Sequence, residues 1–188
     1  MKNKIILASA SPRRKELLKK IVRNFRVVAS GVDESDIKAA GPISFVRKAA
    51  VLKAKAVAAK YQQSIVIGAD TIILFGKKII GKPKNRKDAV TILKSLASKW
   101  HKVITGIAVV FPGGKITSDT AVTRIKMKKV ADREILAYVR SGRPLDKAGA
   151  YGIQEIEEVF IDKIEGDYDN VVGLPVYKLQ KILSRGDQ

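Results

Sequence analysis

Ile5-Ile6-Leu7-Ala8-Ser9-Ala10-Ser11-Pro12-Arg13-Arg14-Lys15-Glu16-Leu17-Leu18 joins an apolar run, a small-residue loop and a helix start in direct succession. Residues 4–8 are expected to form a buried strand and 12–21 a helix. Ser11 can cap that helix, and Pro12 suits its first position, where no backbone N–H is needed. The free N–H groups of a helix start attract anions, and Arg13 and Arg14 stand beside them. The stretch reads as a phosphate grip. It also reads as an ordinary capped helix with solvated arginines.

Outward from this unit, strands and helices stay interspersed. Residues 25–29 read as a second strand. Pro42 opens an alanine-rich helix to about Tyr61, with Val46, Ala49, Ala50 and Val57 at helical spacings. The continuous apolar run 64–69 predicts a central strand, and residues 71–80 a hairpin around Gly76-Lys77-Lys78. Asn85 can cap a helix over 86–97. Residues 103–111 and 115–130 read as long strands around the Pro112-Gly113-Gly114 turn. In the second of these, Thr120, Val122, Arg124, Lys126 and Lys128 alternate with Ala121, Thr123, Ile125 and Met127. Asp132 is expected to cap a helix that stops at Gly142, residues 158–164 to form a strand, and Pro175 to begin a final amphipathic helix. The pattern predicts an α/β fold with a mixed central sheet flanked by helices.

The chain has 188 residues, 46% of them hydrophobic, and a mean hydropathy of −0.03. This suits one globular domain with a full core, or one domain with two lobes. No apolar run reaches the length of a membrane span, and the apolar run before Ser9 is too short for the core of a secretion signal. The absence of cysteine excludes disulfides and thiol catalysis and is compatible with cytoplasm. There are 37 basic and 18 acidic residues, a net charge of +19. Such a surface attracts polyanions, so a nucleic-acid-binding or regulatory protein is the rival reading. The basic residues are dispersed along the whole chain, however, and aromatics make up only 6%. No strand offers a stacking platform for bases, and no specific nucleic-acid partner is expected.

The candidate chemistry lies at element ends. Asp70, in Gly68-Ala69-Asp70-Thr71, is expected where the central strand ends, the place where open α/β sheets gather ligands. Lys82, between Gly81 and Pro83, has a constrained backbone and can reach a phosphate. Glu34 follows a strand, and Lys53 lies among Ala49, Ala50, Ala54 and Ala56. Taken singly, Asp70 and Lys82 read first as ordinary turn residues and Lys53 as a surface lysine. His101 is the sole histidine, and the sequence has neither a His-rich metal motif nor a phosphate-binding glycine loop. Carboxylates, lysines and arginines without thiol or histidine clusters suit Mg²⁺ or Mn²⁺ and phosphoryl transfer to water.

Eight segments in fixed order complete the reading: residues 7–14, Val32-Asp33-Glu34, Lys53-Ala54, Gly68-Ala69-Asp70-Thr71, Gly81-Lys82-Pro83, His101 through Thr105-Gly106, Asp146-Lys147-Ala148-Gly149-Ala150-Tyr151-Gly152-Ile153-Gln154, and residues 166–175 ending in Val172-Gly173-Leu174-Pro175. With them the whole chain, 1–188, resembles the Maf family of nucleoside triphosphate pyrophosphatases. The resemblance implies a two-lobed α/β domain similar to the inosine triphosphate pyrophosphatases, with the nucleotide in the cleft between lobes. It implies cleavage between the α and β phosphates to the monophosphate and pyrophosphate, with Mg²⁺ or Mn²⁺, in a cytoplasmic homodimer. By the same resemblance Asp70 is the general base and, with Glu34, a metal ligand. Lys53 and Lys82 complete the phosphate site, and Ser9, Arg13 and Arg14 form the phosphate-binding loop.

Three positions separate the family's types. Arg13, Thr71 and Gln154 match the type acting on dTTP and UTP, whereas the type acting on 7-methyl-GTP carries tryptophan, glutamine and glutamate. Gln154 offers a donor and an acceptor, which suits a uracil or thymine edge. A pyrophosphatase for another nucleotide, including modified pyrimidine triphosphates, is the alternative within the class, and outside it the family's name history implies a cell-division regulatory protein. Two positions depart from the pattern. Glu155 stands where glycine often follows the glutamine, and Arg143 where an acidic residue is common. Neither removes a catalytic group.

Overall fold

The computed structural model describes residues 4–186, so Met1–Asn3 of the secretion-signal reading lie outside it. The opening stretch folds as its chemistry dictates. Strand β1 (Lys4–Leu7) buries Ile6 and Leu7, and helix α1 (Pro12–Lys19) follows with Ser11 Oγ accepting from the Arg14 N–H at 3.4 Å. The remaining elements are β2 (Arg26–Val27), α2 (Pro42–Ala58), β3 (Ser64–Phe75), β4 (Lys78–Ile80), α3 (Arg86–Leu96), β5 (Trp100–Val110), β6 (Ile116–Met127), α4 (Asp132–Arg140), α5 (Ile153–Phe160), β7 (Ile161–Glu165), α6 (Tyr168–Val172) and α7 (Val176–Gly186). The strand order is β2-β1-β3-β5-β6-β7, with β4 paired to β3. β1 is parallel to β2 and β3, whereas β3/β4 and β6/β7 are antiparallel, so the sheet is mixed as expected.

The chain divides into two compact units. One takes the chain up to Thr71, Thr105–Ala121 and the chain from Asp169; the other takes Ile72–Ile104 and Val122–Tyr168. In the first, Ile6, Ala8, Ala50, Ala54, Val57, Val66, Ala108 and Val110 form one apolar cluster under α2. The helix lies very close to the sheet because Gly68 and Gly106 present no side chain. A Cβ on either would stand 2.3 Å from a carbonyl oxygen of α2, that of Ala50 or Val46. In the second unit α3 packs on α4, and Leu93, Leu96, Ile125, Met127, Ile135, Val139, Ile156 and Phe160 are buried.

Three local expectations change. β3 does not end at Asp70 but continues to Phe75, because the buried carboxylate has a cation partner and need not leave the sheet. Asp132 is the first helical residue of α4 rather than its cap; Ala131 is the cap, and Glu134 accepts from its N–H at 2.9 Å. Residues 158–160 complete α5 instead of opening a strand. Ile153, Ile156 and Phe160 recur at helical spacing and are all buried, which outweighs the β-propensity of Val159, Phe160 and Ile161.

Candidate active site

Within the first unit, α2 and β3 build a buried ion pair. Gly68 and Asp70 share a strand face, two residues apart, and that face is covered by α2. One turn beyond Ala49 and Ala50, Lys53 reaches the same place. Its Nζ lies 2.8 Å from Asp70 Oδ1 and also pairs with Glu34 Oε1. Lys53 is 9% exposed and Asp70 5%, while the Glu34 side chain is 41% exposed. Asp70 Oδ2 is buried without a hydrogen-bond partner. Leaving a buried acceptor unpaired costs about 1–3 kcal/mol, so Oδ2 is the Asp70 oxygen with bonding capacity not used by the protein.

Beside this pair, the first turn of α1 supplies Arg14. Its Nε donates to the Gly173 carbonyl at 2.9 Å, one terminal nitrogen to Thr71 Oγ1 at 3.0 Å and the other to Ser9 Oγ at 3.4 Å. Ser9 Oγ also accepts from the Ser11 N–H at 3.2 Å. Thr71 meets Thr105 hydroxyl to hydroxyl at 2.9 Å, and Thr105 donates to the Asn170 carbonyl at 3.0 Å. Burial pushes the Arg14 pKa below its ordinary value, against the opposing pull of Asp70 and Glu34 and with help from neighbouring Arg13. Gly173 adopts φ +123°, and a Cβ there would contact Arg14 Nε and Thr71 Oγ1 at 3.5 Å. Ser9, Arg14, Thr71, Lys53, Asp70 and Glu34 therefore form one electrostatic group in this unit, with Arg13 partly buried at its edge.

The other two predicted residues belong to the second unit. Lys82 is exposed after β4, and the preceding Gly81 carbonyl accepts from the Gly149 N–H at 3.0 Å. Gln154 is exposed in the first turn of α5. His101 is structural: its Nε2 lies 2.6 Å from the Tyr151 hydroxyl, and burial lowers its pKa to about 4. Lys147, present in the 146–154 segment but given no role there, is 6% exposed, donates to the Arg143 carbonyl and Asp146 Oδ1, and pairs with Glu155. The signal was its place between Asp146 and the small residues Ala148-Gly149-Ala150, where a lysine has little reason to be exposed.

The donor set suits a hard divalent cation. The half-exposed Glu34 carboxylate offers oxygens, with Asp70 beside it through their shared Lys53, and Mg²⁺ is commonly held by one or two carboxylates plus water and phosphate. Among the described residues no cluster of three or more His, Cys, Asp or Glu could hold an ion without such help.

The sequence is 44% identical over 187 residues to a dTTP/UTP pyrophosphatase of Dictyoglomus thermophilum, covering 98% of this chain and 97% of that protein. It is 48% identical to one from Alkaliphilus metalliredigens, with 97% and 95% covered. The fold is similar to that of the Staphylococcus aureus Ham1 protein, with a TM-score of 0.56, 17% identity and 99% and 100% of the two chains covered. A HAM1 protein from Coxiella burnetii gives 0.53, 12% identity and 97% and 99%. The Maf-like protein family model matches residues 4–186. Those residues span every element described above, and the chain belongs to the Maf-like family.

Proposed function

We propose that this protein hydrolyses dTTP and UTP between the α and β phosphates, releasing the nucleoside monophosphate and pyrophosphate. Relatives named dTTP/UTP pyrophosphatase at 43–48% identity over nearly the whole chain support the substrate class. The observation that carries the mechanism is the asymmetric Asp70 carboxylate, with Oδ1 held by Lys53 and Oδ2 unbonded.

Asp70 Oδ2 takes the proton of the water that attacks the α-phosphorus. Lys53 fixes the orientation of that carboxylate and of Glu34. Arg13 and Arg14 bring positive charge to the phosphate oxygens, and Ser9 shapes the loop that approaches them. Asp70 and Glu34 would hold Mg²⁺ or Mn²⁺, which when bound neutralises phosphate charge. Lys82 is assigned to phosphate, and Thr71, Arg13 and Gln154 to base selection. A cytoplasmic homodimer is the assembly the family resemblance implies. No described helix is long and apolar enough to cross a membrane.

A panel of nucleoside triphosphates with Mg²⁺ or Mn²⁺, assayed for pyrophosphate release, tests the proposal. dTTP and UTP should be turned over in preference to purine triphosphates. Absence of turnover of both would overturn it. Binding to random DNA that disappears at high salt would report only the +19 charge.

A further inference from the structure

We infer that Glu155 is a positioning residue that, through Lys147, sets the base-reading Gln154 relative to Lys82. The inference rests on the roles proposed for Gln154 and Lys82.

Lys147 Nζ donates to the Arg143 carbonyl at 2.5 Å and to Asp146 Oδ1 at 2.7 Å, and forms an ion pair with Glu155 Oε1 at 3.2 Å. A buried ammonium tied to three neighbours in this way acts as a strut. The other oxygen of Glu155 accepts from the Tyr138 hydroxyl at 2.7 Å, and that hydroxyl accepts in turn from the Gly152 N–H at 3.2 Å. The Tyr138 ring stands edge-on to Phe160, with ring centroids 5.7 Å apart. Glu155 thus ties α4, the 146–147 turn and the first turn of α5 together, and Gln154 is its chain neighbour. Burial, reinforced by the Glu155 hydrogen bond, raises the Tyr138 pKa, so its hydroxyl keeps its proton and remains a donor.

The same strut reaches Lys82. Residues 148–150 follow directly from Lys147, and the Gly149 N–H bonds the Gly81 carbonyl at 3.0 Å. That segment is held in a demanding shape. Gly149 has φ +70° and Ala150, a non-glycine, has φ +60°. Such backbone persists only when its surroundings hold it. Gly152, in ordinary extended backbone, lies against the Lys147 stem: a Cβ there would stand 2.9 Å from Lys147 Cε. One ion pair therefore fixes the backbone that presents Gln154 and the backbone bonded to the residue before Lys82.

The test combines Glu155→Gln, which keeps shape and removes the charge facing Lys147, with Gln154→Ala, alone and together. Steady-state kinetics are measured with UTP and CTP. Glu155→Gln is expected to raise KM for UTP about tenfold with kcat within about twofold, and to narrow the preference for UTP over CTP by a similar factor. The double variant should be no worse than Gln154→Ala, because both changes act on the same contact. Tyr138→Phe, which removes one hydroxyl and retains the ring packing, should shift KM in the same direction by less. Additive effects of Glu155→Gln and Gln154→Ala would overturn the inference while leaving the role of Gln154 intact. A Gln154→Ala protein with unchanged base preference would overturn that role and the inference with it.

Discussion

Lys53 Nζ lies 2.8 Å from Asp70 Oδ1, while Asp70 Oδ2 has no hydrogen-bond partner. A carboxylate held at one oxygen and open at the other is oriented for proton transfer. Here α2 supplies the lysine and β3 the carboxylate, so the chemistry depends on how closely the helix rides on the sheet.

Lys53→Met removes the charge and keeps most of the stem. It leaves Asp70 buried without its nearest cation, and breaking a buried pair in this way costs about 3–5 kcal/mol. The Glu34 arm is more exposed and adds little to that figure. The urea unfolding midpoint should fall, and turnover should fall with it. An unchanged midpoint would show that the pair does not support the fold.

Gly68→Ala places a methyl group 2.3 Å from the Ala50 carbonyl and 2.8 Å from the Ala54 N–H, both backbone atoms. The helix must move away, and Lys53 moves with it. Overpacking of this kind costs about 1–3 kcal/mol. The variant should lose activity at temperatures where it is still fully folded, as read by turnover beside a thermal melt. Full activity would show that the spacing of α2 and β3 does not set the Lys53–Asp70 geometry.

His101 sets an acid limit on stability. Its folded pKa is about 4 against an ordinary value of 6.5, with burial as the cause. Between those values the unfolded chain binds the proton and the folded chain does not, so this contribution is present above pH 6.5 and is lost as pH falls toward 4. The loss at pH 4 is about 3 kcal/mol. His101→Gln can keep a hydrogen bond to Tyr151 and does not titrate. Urea unfolding at pH 7 and pH 4.5 should show a smaller drop for the variant than for the parent. Equal drops would remove His101 from the account.

Much of this was legible in the sequence because local chemistry and tertiary outcome agree. Ser11-Pro12 starts a helix in any context, Asn85 caps one, and the 64–69 run is apolar enough to be a central strand. Other features depended on partners distant in the chain. Nothing local indicates that Asp70 stays inside β3, because its compensating charge comes from Lys53 on another element. Arg14 reads as a solvated first-turn arginine, yet it is half-buried and held in place by Thr71 and the Gly173 carbonyl, which accept from it. The strand expected over 158–164 begins only at Ile161, because residues 158–160 complete α5. The helical spacing of Ile153, Ile156 and Phe160 was the stronger signal.

Asp70→Asn separates proton transfer at Asp70 from its charge pairing with Lys53. The amide keeps the shape beside Lys53, which retains Glu34 as a partner, but it cannot take a proton from water. Pyrophosphate release from dTTP is measured for both proteins, with circular dichroism and urea unfolding run in parallel. The account predicts a fall of about 10²–10⁴-fold in kcat with the fold intact. Full turnover by the folded variant would contradict it.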